Sequence, residues 1–147
     1  MKRAAYVSII VLSVVFLDQI TKQLIIKYLS SSDSLEVFPF LHIVSVRNTG
    51  AAFGAFRGFG SGIFIAISVV AIGFVINLII RRAYNSFGLS LVLGGAIGNL
   101  IDRIFYGKVV DFVDFHVGAF HWPAFNVADS ALTVGITIII LTSLFKK

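Results

Sequence analysis

Four apolar runs of membrane-spanning length dominate the chain, at about residues 4–26, 61–80, 87–105 and 125–145. Each is close to the ~20 residues that a helix needs to cross a hydrocarbon layer. Composition agrees: 58% of the 147 residues are hydrophobic, only 13% are charged, and mean hydropathy is +0.98. A water-soluble domain of this length could not hide so much apolar surface, so lipid must be its solvent. The expected fold is an all-α membrane protein: four transmembrane helices with a small β-structure in the first extracytoplasmic loop. Residues 1–147 are expected to form a single membrane-embedded domain. Lys2 and Arg3 before an apolar run resemble the start of a signal peptide. The run is as long as a span, however, and no small-residue cleavage site follows, so it reads as a retained first helix.

A net charge of +5 could point to nucleic acid, but the basic residues are scattered and fit membrane topology better. An even number of spans puts both termini on one side. Lys2 and Arg3, Arg81 and Arg82, and Lys146 and Lys147 flank that side with no acid among them. The positive-inside rule makes it cytoplasmic, and the loops at 27–60 and 106–124 then face outward. The absence of cysteine excludes disulfides, thiol catalysis and thiolate metal sites. In the first outer loop, residues 35–46 are rich in β-branched and aromatic side chains, and Asn48-Thr49-Gly50 supplies a turn signal. Small β-structure on the outer membrane surface is expected there, followed by the apolar Ala51-Ala52-Phe53-Gly54-Ala55-Phe56. Residues 109–116 read as a second short extended segment.

Polar groups in or beside spans are costly in hydrocarbon, so they tend to face the bundle interior and to mark function. Asp18 and Lys22 sit four residues apart on one helical face and can pair; a structural ion pair accounts for them. In Arg47-Asn48-Thr49-Gly50, a plain turn accounts for Asn48 and Gly50, although small neighbours would also admit an extended peptide. Gly94 and Gly98 form a GxxxG that permits close helix packing. Asn99, Asp102 and Arg103 follow on one face, which packing does not explain. If 109–116 is extended, alternation sends Asp111 to the side of Val113 and Phe115, and Asp114 to that of His116. Asp111 then meets the more apolar environment, which favours a protonated carboxyl. Asn126 fits a helix N-cap with Asp129 three residues on, so capping alone would account for both.

Taken in order, from Asp18-Gln19-Ile20-Thr21-Lys22 to Asn126-Val127-Ala128-Asp129-Ser130, these five segments resemble lipoprotein signal peptidase, the bacterial intramembrane aspartic peptidase called signal peptidase II. The resemblance covers nearly the whole chain, including its length and four spans. It implies that Asp111 and Asp129 are the catalytic pair. Asn48, Gly50, Asn99, Asp102, Arg103, Asn126 and Ala128 would line or support the site, with Asp18 and Lys22 as the first-helix motif. The implied substrate is a prolipoprotein whose lipobox cysteine carries diacylglycerol, cut just before that cysteine in the bacterial inner membrane. Globomycin-type inhibitors would occupy the site. Membrane lipid is a partner, nucleic acid is not, and a monomer is expected.

Elementary chemistry is compatible with that implication. Two adjacent carboxylates cannot both ionise easily, so one keeps a proton near neutrality. The ionised member can activate water while the other assists the carbonyl oxygen and the leaving amine, and neither a metal nor another cofactor is required. A transporter is the main competing class, but the chain has no inverted repeat and no paired broken helices. A metallopeptidase would need a motif such as H-E-x-x-H, and His42, His116 and His121 have no such spacing. A serine peptidase would need a helix-borne base, which neither Ser61 nor Ser130 has.

Overall fold

The computed structural model describes residues 2–49 and 61–145. Among them, four helices are long and apolar enough to cross a membrane: α1 (Lys2–Tyr28), α2 (Ser61–Ile80), α3 (Ser86–Tyr106) and α4 (Val127–Leu144). These match the four apolar runs to within two residues at each end. Gly50, the run from Ala51 to Phe56, Lys146 and Lys147 lie outside the described residues.

The third helix, α3, is the most buried span and packs against the other three. Its small residues explain how. A Cβ built on Gly94 would stand 2.8 Å from Val14 Cβ of α1, and one on Gly98 would stand 2.6 Å from Asp18 Oδ2. One on Gly95 would collide with the Ala128 carbonyl oxygen of α4, while Gly88 and Gly135 bring α3 and α4 together near the far end. Close backbone approach of this kind is how helices gain packing energy in lipid, where no hydrophobic effect drives them together. By contrast, Ile9, Leu12 and Phe16 of α1 and Ile67, Val70 and Phe74 of α2 point outward, as lipid-facing side chains should.

Local chemistry sets the helix ends. Asn85 caps α3 by accepting the Gly88 N–H at 3.0 Å, and Gly107 closes that helix in the left-handed region at φ 68°. Arg3 donates to Ser86 Oγ at 2.7 Å, which ties the start of α1 to the start of α3.

Both loops at the other end contribute to a single antiparallel sheet, in the order β1 (Ser34–Phe38), β2 (Leu41–Asn48), β3 (Val109–Val117) and β4 (Phe120–His121). β-structure was expected in the first loop and a short extended segment in the second, with no pairing foreseen between them. The second loop supplies the partner strand, with Val46 opposite Asp111 and His42 opposite Asp114. The segment before α4 also docks on β3: Phe125 and Val113 exchange backbone hydrogen bonds of 2.9 and 3.1 Å. That pairing delivers the start of α4 to the middle of β3.

Candidate functional site

Each candidate carboxylate is placed by the element that carries it. Asp111 lies on β3, one residue beyond the buried Val110, and is 2% exposed. Asp129 is the third residue of α4 and forms a capping box with Asn126. There Asn126 Oδ1 accepts the Asp129 N–H at 2.9 Å, and Asp129 Oδ2 accepts the Asn126 N–H at 3.3 Å. The same fully buried Asn126 donates from Nδ2 to Asp111 Oδ1 at 2.7 Å. One side-chain amide therefore ties the Asp111 carboxylate to the Asp129 backbone, and capping and site geometry turn out to be one arrangement.

Two further asparagines complete it. Asn48, at the end of β2, donates to Asp111 Oδ2 at 3.0 Å. Asn99 of α3 donates to Asp129 Oδ1 at 2.8 Å. Among the described residues, each carboxylate oxygen thus accepts from one neutral amide. The Asp111 carboxyl is pushed up to about 6, first by burial and then by the charge of Asp129; Asn48, Asn126 and the more distant Lys22 oppose the rise. This corrects the picture of an apolar face behind Asp111: amides surround the carboxyl, and loss of water plus a second acid raises it.

Asp111, Asp129, Asn48, Asn99 and Arg103 all line one cleft of about 600 Å³. Its walls include Trp122, Pro123 and Phe125 from the segment before α4, and Leu132 and Val134 from α4. Arg103 donates to the Asn99 carbonyl oxygen at 3.4 Å, and its guanidinium stands 5.7 Å from the centre of the Phe64 ring of α2. A cleft with apolar walls, a guanidinium and two oriented carboxylates can hold an extended peptide and supply both an acid and a base to it.

The remaining polar residues form a layer behind the cleft. Lys22 is 1% exposed and donates to Asp18 Oδ2 at 2.8 Å, Asn99 Oδ1 at 3.0 Å and Asp102 Oδ2 at 3.1 Å. The first-helix pair is thus one edge of a larger cluster. Asn99, Asp102 and Arg103 do share one broad face, but they divide it: Asp102 turns to α1, Arg103 to the cleft, and Asn99 touches both sides. Ala128 is fully buried, and its N–H donates to Asp18 Oδ1 at 2.9 Å. Gln19 was overlooked as a site residue; its amide donates to Asp102 Oδ1 at 3.0 Å. Its place beside Asp18 in an apolar helix was the available signal. The aromatic walls at Trp122 and Phe125 were also missed, because nothing local marks a loop side chain as cleft-lining.

Asp114 goes to the opposite face of β3 with His116, as alternation predicts. That face is covered rather than open: Asp114 is 9% exposed and pairs with His121 Nδ1 of β4 at 2.9 Å. His116 and His42 approach through their Nε2 atoms at 3.2 Å. Among the described residues, no three His, Asp or Glu side chains converge in a geometry that would hold a metal ion.

The family model for signal peptidase (SPase) II matches residues 10–145. Similar sequences include the lipoprotein signal peptidase of Thermodesulfovibrio yellowstonii, 48% identical over 139 residues that make up 95% of each chain. That of Burkholderia thailandensis is 43% identical and covers 90% of this chain and 84% of its own. Two solved bacterial membrane enzymes, determined by the in meso method at 2.3 and 1.9 Å resolution, superpose with TM-scores of 0.88 and 0.86 at 38% and 39% identity. They cover 95% and 97% of this chain and 88% and 95% of their own. The chain is therefore a multi-pass membrane peptidase and belongs to the signal peptidase II family.

Proposed function

We propose that this protein removes signal peptides from prolipoproteins as an aspartic endopeptidase, with Asp111 and Asp129 sharing one proton at the reacting centre. Lipoprotein signal peptidases are its sequence relatives, and substrates of that class carry diacylglycerol on the lipobox cysteine that follows the scissile bond. The observation that carries the mechanism is the Asn126 bridge, which holds both carboxylates at one cleft without neutralising either.

The ionised member takes a proton from water as its oxygen attacks the scissile carbonyl. The protonated member donates to the developing oxyanion, and the leaving amine regains a proton as the C–N bond breaks. The pair titrates as a unit, so the shared proton belongs to both. No covalent intermediate forms. Arg103 and the asparagines orient the carboxylates, and the aromatic wall around Trp122 packs against the substrate backbone. Residues 1–147 work as one membrane-embedded domain and as a monomer in the cytoplasmic membrane. Both termini face the cytoplasm and the cleft lies near the outer face, level with a substrate anchored by its acyl chains. Globomycin-type inhibitors compete for the same cleft.

Asp111→Asn and Asp129→Asn should each abolish cleavage of a diacylglyceryl-modified lipobox peptide while the protein remains folded in detergent. Near wild-type turnover by either variant would rule out the dyad. Flux of an ion or solute through proteoliposomes, with no cleavage of that peptide, would favour the transporter reading instead.

A further inference from the structure

Among the described residues, Lys22 sits on α1 behind the cleft, out of reach of any peptide lying in it. Its three N–H groups are nevertheless all used, and each leads through one side chain either to one of the two aspartates or to the backbone amide just before it. Asp18 takes the first at 2.8 Å and, through its other oxygen, accepts the N–H of Ala128 at 2.9 Å. Ala128 immediately precedes Asp129. Asp102 takes the second at 3.1 Å and accepts the N–H of Val110 at 3.0 Å. Val110 immediately precedes Asp111. Asn99 takes the third at 3.0 Å and donates its own amide to Asp129 Oδ1 at 2.8 Å.

We infer that Lys22 is a positioning residue for the dyad: it fixes the spacing of Asp111 and Asp129 by holding the backbone amide one residue before each. The inference rests on the dyad reading above. A staple joining α1 to α3 would need only one carboxylate. Two are present, and the bonds they make beyond Lys22 run to equivalent points in β3 and α4. The Ala128 N–H belongs to the first turn of α4, where it has no intrahelical acceptor, so a carboxylate there also favours the helix end. The ammonium suits this task because its donors diverge in three directions from one point; a planar guanidinium could not reproduce them. Lys22 also acts on the site through its charge. Its positive charge favours ionised Asp111, opposite the effect of Asp129 on α4, and the Arg103 guanidinium on α3 stands close to both acids.

Lys22→Met and Lys22→Arg test this in a micellar assay with a diacylglyceryl-modified lipobox peptide. Rates are normalised to folded protein recovered by size exclusion. Lys22→Met should lower kcat about 100-fold, the size of effect that a misplacement of about 1 Å produces, with KM little changed. It should also move the alkaline limb of the kcat profile to higher pH, because the charge that favours ionised Asp111 is gone. Lys22→Arg should lower kcat while leaving that limb near its original pH. An unaltered kcat per folded molecule, with only yield or melting temperature reduced, would make Lys22 a structural staple and overturn the inference. If Lys22→Met does not fold, Asp102→Asn decides. It keeps an acceptor for Val110 but loses the ionic tie, so lower kcat at constant KM supports the inference and wild-type kcat overturns it. Asp111→Asn and Asp129→Asn belong in the same assay: activity in either removes the dyad reading itself, whereas their silence with unaltered Lys22 and Asp102 variants removes only the positioning role.

Discussion

Asp111 answers to two opposed demands, and both can be read in how stability should vary with pH. Its carboxyl holds a proton up to about pH 6 in the folded protein, because burial and Asp129 outweigh the amides of Asn48 and Asn126. An unfolded aspartate releases that proton near pH 4. Between those values the folded state binds more protons, so stability falls as pH rises through the window. The loss is on the order of 3 kcal/mol at about 1.4 kcal/mol per pKa unit. Asp111→Asn removes this dependence. Its melting temperature in detergent, relative to wild type, should therefore climb from pH 4 to pH 7 even though the variant is inactive. A difference that stays flat over that range would contradict the raised carboxyl. If the pair works with one shared proton, wild-type activity should fall away on the alkaline side of about pH 6, where Asp111 gives that proton up.

At the scale of elements, β3 carries two acids with different duties because a strand sends Asp111 and Asp114, three residues apart, to opposite faces. Asp114 faces His121, which is half exposed, so the pair adds little. Asp114→Asn keeps an acceptor for His121 and should leave kcat/KM within about fivefold of wild type, the factor that ~1 kcal/mol represents. A loss as deep as that of Asp111→Asn would mean that the second face of β3 also acts in cleavage. The alternation was legible in the sequence, as were the four spans, the Asn126 cap and the polar face of α3, since each is a local pattern of spacing. The sheet was legible only in half, because β2 and β3 lie more than sixty residues apart and no local signal announces their pairing. The Lys22 cluster was hidden for the same reason. The i,i+4 pair with Asp18 is visible on one helix, whereas Asn99 and Asp102 join it only when α1 packs against the glycines of α3.

The whole molecule sorts its charges by end. Arg3 meets Ser86 where α1 and α3 begin, and Arg81 and Arg82 lie in the short connection between α2 and α3. The sheet and the cleft occupy the other end, reached from the last turns of α1 and α3. Basic residues flank the first end with no acid among them, whereas those of the sheet's loops are accompanied by acids, and the positive-inside rule assigns the first kind of end to the cytoplasm. On the proposed orientation the cleft opens toward the outer leaflet, level with the proposed lipidated substrate. Because the chain contains no cysteine, single introduced thiols can test this without background. Val117, 81% exposed at the end of β3, and Arg81, exposed at the far end, are suitable reporters. In intact spheroplasts a membrane-impermeant maleimide should label Val117→Cys at once, and Arg81→Cys only after permeabilisation. The reverse pattern would invert the molecule and put the cleft on the cytoplasmic side. Labelling of both in intact cells would mean that the apolar helices do not hold one orientation, and the positive-inside argument would fail with them.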